Sequence, residues 1–379
     1  DMVQNGGKMS GNRKNILHVR RPNINNGVYK YIFNHMGYID RERFQFDFLT
    51  RNAKALAATE EYRKYGFSIQ SFCNTERNDE EELRREITDI LRQGYDAIHL
   101  HTSFWRGFLI EQIAMEMNVP KVIVHSHSTW VDVADDKKRE EMLRVHNAYK
   151  MKFDFRYATD VCACSGLAGD WLYGEQIPRE KIQILPNAID VEKYGFRPEI
   201  RDSIRKRLGW EDKIVIGSVG RYCYQKNQSF LIRAFAKARE QNKKLFLILI
   251  GGGELRDGLK KQIADAGLND VICCMNWQEK VQDYFWAMDV FCLPSLFEGL
   301  AITSIEAQAA GLRCLLSDTI SEEARVTDLV KFLPLDENVW AEEIAQSGWA
   351  GDRERKDKEI EAAGYDIRSA VKKLEKLYE

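Results

Sequence analysis

Arg221 and Lys226 stand five residues apart in "IGSVGRYCYQKN", directly behind a β-rich run and Gly220. Two cations at such a strand end suit a phosphate or diphosphate, the guanidinium through two parallel bonds and the ammonium as a point charge. A solvated loop with ordinary surface charges is the plainer alternative. A second pair, Glu298 and Glu306, lies eight residues apart in "LFEGLAITSIEAQAAG", among small and apolar residues. Gly299 suggests a turn, and Thr303 to Ala310 reads as a helix closed by Gly311. On it Ile302, Ile305, Ala309 and Leu312 make a buried stripe, and Glu306 lies only about 40° around the axis from Ile302. A carboxylate beside a core stripe needs a partner, because burying it unpaired is costly. An ion pair inside its own domain is one candidate.

Other strand ends carry weaker signals. Gly251, Gly252 and Gly253 in "LILIGGGELRDGL" fall between strand and helix, where bare amides can approach an anion. A dinucleotide fingerprint would want a further glycine at 256, which is Arg256, so a tight turn is the alternative. All seven histidines lie in the first 146 residues, four of them as His99/His101 and His125/His127. Strand alternation puts each pair on one face. A metal cluster is the sharp alternative. The hydrolase pattern H-x-H-x-D would then need Asp at 103 and 129, which are Ser103 and Thr129.

What positions these residues is a repeated βα pattern. "NILHV", "FQFDFL", "AIHLHT", "KVIVHSH" and "IQILP" alternate with amphipathic stretches, and after Pro186 the series restarts with "KIVIGSVG", "KLFLILIG", "VICCM", "VFCLPS" and "RCLLSD". Such alternation predicts parallel sheets with helices on both faces, here as two Rossmann-like domains facing a cleft. Ligands then gather at the carboxyl ends of the strands.

The 379 residues carry a net charge of −2, which gives no support for a nucleic-acid partner. Eight cysteines, with no C-x-x-C pair, read as reduced core residues of a cytosolic protein. No apolar run approaches the ~18 residues of a membrane span, and no signal peptide is visible. The expectation is a soluble intracellular protein behind a disordered leader, "DMVQNGGKMSGN". Segment 137–156 holds seven Lys/Arg against three acids, interleaved with Met142, Met151, Phe153 and Phe155. It could lie against an anionic membrane surface or be a solvated helix face.

The motifs "GRYCYQKN", "GGGE", "PSLFEGLAITSIEAQAAGLRCLLSD" and "LPNAID" resemble retaining glycosyltransferases of the bacterial family 4 type, whose two-domain fold is called GT-B. "NNGVYKYIFN", "FQFDFLT", "VHSHS" and the tail "AGYDIRSAVKKLEKLY" look like the subgroup that builds capsular and exopolysaccharide repeats. The resemblance implies an acceptor-binding domain over 1–187, a nucleotide-sugar domain over 188–360, and a helix over 361–379 packing back on the first. It implies transfer from a nucleotide sugar, with a UDP-sugar as the expected donor, to a saccharide or lipid-linked saccharide. No cofactor or metal is expected, since Arg221 and Lys226 would neutralise the diphosphate and no D-x-D motif occurs. Glu306 would hold the ribose hydroxyls and Glu298 those of the donor sugar. The amides of Gly299, Leu300 and Ala301 would face the phosphates or sugar. Gly27, Gly220, Gly252 and Gly253 would line the donor. His127, with His125 as runner-up, would reach the donor sugar across the cleft. Two departures touch loop shape: only Gly27 follows Asn26, where many relatives carry two glycines, and Leu300-Ala301 follow Gly299. A nucleotide-sugar epimerase on the same fold, or an inert binding module, are the alternative functions.

Overall fold

The computed structural model describes residues 13–19, 27–71 and 80–379. The leader, Asn26 and Cys73 lie outside them. Among the described residues thirteen strands form two all-parallel sheets. The first holds β1 (Lys14–Val19), β2 (Phe44–Thr50), β3 (Ile69–Ser71), β4 (Ala97–Thr102), β5 (Lys121–Ser126), β6 (Asp160–Ala163) and β7 (Ile182–Ile184) in the order β3-β2-β1-β4-β5-β6-β7. The second holds β8 (Ile214–Val219), β9 (Leu245–Ile250), β10 (Ile272–Met275), β11 (Val290–Leu293), β12 (Arg313–Ser317) and β13 (Val330–Leu333) in the order β10-β9-β8-β11-β12-β13. Central strands such as β8 and β9 are covered on both faces, which is why they read as continuous apolar runs. Each sheet reverses its strand order once, between β1 and β4 and between β8 and β11. Crevices for ligands open at such points.

The join between the halves is built to be stiff. Helix Pro198–Leu208 starts on a proline and ends at Gly209 in the left-handed region. From it Arg201 and Arg205 reach the buried Asp289 at 2.5 and 3.0 Å, and Asp289 also accepts the amides of Val215 and Ala350. One carboxylate thus fastens the linker helix to the root of β11.

The last helix, Ile367–Tyr378, returns to the first sheet. Ile367, Ala370, Val371, Leu374, Leu377 and Tyr378 are all buried, at the spacing of a single helical stripe, and join the cluster of Tyr31, Ile32, Phe44 and Phe46. Its entry is pinned by amide bonds between Ile189 and the Tyr365–Ile367 segment. Among the described residues no helix is long and apolar enough to cross a membrane. The basic segment splits: a helix covers Asp136–Lys150, then the chain turns, and Phe153 enters the core against Trp105 at 4.6 Å. Of the four apolar residues interleaved in the segment, Met151 and Phe155 are exposed, Met142 is partly buried and Phe153 is buried. Cys162, Cys164, Cys223, Cys292 and Cys314 are buried thiols, while Cys273 and Cys274 are partly exposed.

Candidate active site

Both charged pairs sit at the carboxyl ends of β8 and β11, on the two sides of the second sheet's switch point. Glu298 Oε1 accepts from Lys226 Nζ and from Ser295 Oγ, each at 2.6 Å, and Oε2 accepts from Gln225 Nε2 at 3.1 Å. Lys226 and Glu298 therefore form one charge-assisted unit across the crevice. Arg221 pairs with Asp132 of the first domain, whose other oxygen accepts the Gln225 amide at 3.0 Å. Asp132 was not singled out in the sequence: its "WVDVADD" context looks like ordinary loop acid, and only the facing of the two sheets brings it to Arg221.

Glu306 is fully buried on helix Ile302–Ala309, and its partners are now visible. Oε1 accepts from Tyr194 Oη at 2.6 Å and pairs with Lys30 Nζ, from helix Gly27–Met36 of the first domain. Burial, with Glu306 next to it, pushes the Tyr194 phenol pKa well up. An ion pair confined to its own domain is thus not what forms. Oε2 is buried with no hydrogen-bond partner among the described residues. A carboxylate oxygen without a donor is costly to bury, so this one is an acceptor in want of a ligand.

The two domains touch closely above these residues. A Cβ on Gly299 would lie 2.2 Å from the His127 carbonyl oxygen, so only glycine admits this approach. Thr129 Oγ1 donates to the Glu298 carbonyl at 3.0 Å, Ser165 Oγ to the Gly299 carbonyl at 2.5 Å, and Asn187 Nδ2 to the Leu300 carbonyl at 3.1 Å. The carbonyls of 298–300 are thereby engaged by the first domain. Leu300 and Ala301 are themselves buried. His127 is half-exposed and bonded to His101 at 2.8 Å, whereas His125 is fully buried against His99. Of the two, His127 is the one placed at the crevice.

The glycines separate by role. Gly253, at φ 152°, packs where a Cβ would meet the Tyr222 carbonyl oxygen at 2.4 Å, which fixes the loop after β9 against the loop after β8. Gly252 lies beside Trp277, and Gly220 beside the Lys226 stem. Gly27 opens its helix one turn before Lys30 and faces open space. Beside Glu298 a cavity of about 530 Å³ spans both domains, with Trp130, Trp171, Tyr224, Phe297, Thr129 and Thr319 in its wall. Trp130 and Trp171 pair at 5.3 Å, and the Trp171 indole is anchored by its bond to the Ser103 carbonyl. These aromatics were missed, having no spacing that links 130 to 171 or 297.

Two histidine triads, His18/His99/His101 and His101/His125/His127, bring ring nitrogens within 4.8 Å of one another, close enough to consider a metal. The rings are also hydrogen-bonded to one another, His18 to His101, His101 to His127 and His99 to His125, at 2.8–3.1 Å.

Comparison with known proteins agrees with this layout. Residues 200–345 match the model for glycosyl transferases group 1, and residues 25–193 that for Glycosyltransferase Family 4. The Bacillus subtilis protein EpsF, named as a glycosyltransferase, is 30% identical over 98% of this chain and 97% of its own. The chain belongs to glycosyltransferase family 4. An Escherichia coli galactosyltransferase that uses UDP-Gal and a diphosphoundecaprenol-linked GlcNAc is 24% identical to this family 4 enzyme, over 82% of this chain and 81% of its own. Anabaena HepE, solved with UDP and glucose, superposes with a TM-score of 0.74 at 17% identity, covering 95% of this chain and 98% of that one. A Rickettsia africae glycosyltransferase superposes at 0.75 with 14% identity, covering 97% and 98%. Those likenesses establish the GT-B fold.

Proposed function

We propose that this glycosyltransferase takes a UDP-sugar and passes the sugar, with its anomeric configuration retained, to a hydroxyl of a lipid-linked saccharide of a surface polysaccharide. The observation that carries this reading is the buried Oε2 of Glu306, without a hydrogen-bond partner among the described residues, on the helix that follows β11, with the Arg221/Lys226 pair behind the neighbouring β8. A vicinal diol supplies the donors such a carboxylate wants, and a diphosphate supplies the anion those two cations want. A nucleoside diphosphate carries both. The structures of HepE with UDP and the UDP-Gal donor named for the E. coli relative support uridine as the base.

In the step itself, the bond from the anomeric carbon to the diphosphate oxygen breaks and the acceptor oxygen bonds to that carbon from the same face. The acceptor's proton passes to an oxygen of the departing phosphate. Arg221 and Lys226 meet the growing negative charge without a metal. Glu298 accepts from hydroxyls of the donor sugar, the amides of Gly299, Leu300 and Ala301 stabilise sugar or phosphate, and His127 contacts the sugar from the opposite wall. Preorganised cations and amides of this kind supply the largest share of stabilisation in such sites. The aromatic cavity beside Glu298 takes the acceptor saccharide, since indole faces and interleaved hydroxyls suit a pyranose. The lipid acceptor named for the E. coli relative supports a peripheral membrane location, reached through the exposed Lys137 and Lys138; Arg139 is turned inward to Asp136 and the Val133 and Ala134 carbonyls.

Incubation with UDP-glucose, UDP-galactose and UDP-N-acetylglucosamine, with and without EDTA, tests this. UDP release from one of them, unaffected by EDTA, is expected. Conversion of the UDP-sugar to an epimer without UDP release would reject transfer. Serine at 137 and 138 should lower co-sedimentation with anionic vesicles; unchanged sedimentation would remove the membrane from the scheme.

A further inference from the structure

Five imidazoles on one face of the first sheet form a continuous patch beneath the crevice. Strand register creates it: His18 of β1 lies opposite His99 of β4, and His101 opposite His125 of β5. Because alternate residues share a face, His99 with His101 and His125 with His127 all project to the side covered by Tyr31 and Tyr378. Neighbouring rings lie 4.0–5.2 Å apart between His125 and His127, His99 and His101, His101 and His127, and His18 and His101. Two hydrogen-bonded chains run through the patch. One links His127 Nε2 to His101 Nδ1 at 2.8 Å and His101 Nε2 to His18 Nδ1 at 2.9 Å. The other links Tyr378 Oη to His99 at 2.7 Å and His99 to His125 at 3.1 Å.

The first chain has a direction. Burial pushes the His18 pKa down to about 3 and the His101 pKa well below its usual value, so both rings are neutral and each carries one N–H. With both nitrogens of His101 engaged, one must donate and the other accept. If His127 Nε2–H donated inward, His101 would donate to His18 Nδ1, and the remaining His18 N–H would sit at Nε2. That nitrogen is buried and has no hydrogen-bond partner among the described residues, against the rings of Phe46 and Phe48. An orphaned buried N–H is rarer than an under-used acceptor. The opposite direction leaves only a lone pair there: His18 Nδ1–H donates to His101 Nε2, and His101 Nδ1–H donates to His127 Nε2. His127 then keeps its proton on Nδ1.

We propose that His101 and His18 are positioning residues that lock His127 as its Nδ1–H tautomer, so that the ring meets the donor sugar as a hydrogen-bond donor and not as an acceptor. This rests on the reading of His127 as a group that contacts the donor. A neutral imidazole set by its far-side partner is a recurrent way to fix which nitrogen is protonated.

The test is the nitrogen-15 spectrum of histidine-labelled protein at pH 7.5, with the His127 signals assigned by their loss in His127→Gln. Protonation at Nδ1 is expected in the parent protein. His101→Phe keeps a ring in the core but removes the donor, so His127 should shift toward Nε2–H. Turnover should fall by about tenfold or more as the wrong tautomer accumulates, while UDP affinity stays within about twofold. His101→Asn, whose amide can donate, should restore part of both. His18→Phe acts one ring further away, should move the same signal, and serves if His101→Phe does not fold. An Nε2–H His127 in the parent protein, or an unmoved tautomer in the folded variants, would overturn the proposal. Unchanged turnover in His127→Ala, with the Nδ1–H tautomer present in the parent protein, would instead remove His127 from donor contact and leave the ladder standing.

Discussion

Lys30 pairs across the crevice with Glu306, 276 residues further along the chain, through Oε1, and Oε2 is buried without a donor among the described residues. One cation thus sits on the carboxylate while its second oxygen stays in reserve. Glu306→Gln replaces one acceptor oxygen by an amide donor and removes the charge that strengthens both bonds. UDP and uridine binding should each weaken by roughly 1.5–3 kcal/mol, the range for hydrogen bonds to charged groups. Calorimetry with UDP, uridine and uracil distinguishes this from a general disturbance. Equal losses for uracil would assign Glu306 to something other than ribose.

Arg221 and Lys226 are each paired with a carboxylate, Asp132 and Glu298 respectively. Arg221→Ala and Lys226→Ala should each depress turnover by roughly 10²–10³, as loss of one preorganised donor does. Asp132→Asn should act in the opposite direction on binding. The asparagine can still accept the Gln225 amide but no longer competes with phosphate for Arg221, so UDP should bind a few times more tightly. Weaker UDP binding in a folded Asp132→Asn protein would show that Asp132 orients Arg221 for phosphate instead.

Much of this site was readable before any coordinates, because its parts follow strands. R-x4-K after β8 and E-x7-E after β11 are local patterns, and the alternation of β and α runs places both at one end of one sheet. The H-x-H pairs likewise revealed a shared face. What stayed hidden depends on which strands lie side by side and how the two sheets face. Nothing local says that β1 lies beside β4 and lends His18 to the pairs. Nor does it say that Asp132, Lys30 and Tyr194 converge from 89, 276 and 112 residues away. Phe153 illustrates the reverse error: composition alone grouped it with exposed neighbours, but the turn after Lys150 carries it into the core.

The buried Asp289 gives a stability prediction independent of the ligand. Removing it strands Arg201 and Arg205, which are 1% and 3% exposed, and unpairs two backbone amides. Asp289→Ala should cost about 3–5 kcal/mol, the usual penalty for breaking a buried pair from one side. Urea unfolding measures this. A midpoint close to that of the parent protein would mean that water reaches the two guanidinium groups.

Buried histidines, His18 of the patch and His35 of helix Gly27–Met36, make the fold sensitive to acid. Burial, with His35 adding to it, pushes His18 down to about 3, and burial pushes His35 down to about 4. Between about pH 6.5 and those values the unfolded chain binds protons that the folded chain refuses. Stability is therefore fully present above about pH 6.5 and is lost as pH falls, by about 1.4 kcal/mol per unit for each such ring. Melting temperature should be flat from pH 8 to 7 and drop steeply from 6.5 to 5. His18→Gln, which cannot titrate, should show a shallower drop. An identical slope would place the acid sensitivity elsewhere.

The proposed reaction is tested most directly by the configuration of the product. The donor found by UDP release is supplied as its α-linked UDP-sugar together with a lipid-linked saccharide acceptor, and the new linkage is read from the anomeric proton by NMR. An α-linked product, formed with one UDP released per bond and undiminished by EDTA, is the expected result. A β-linked product, or transfer that stops with EDTA and returns with added Mg²⁺ or Mn²⁺, would contradict retention or the neutralisation of the diphosphate by Arg221 and Lys226.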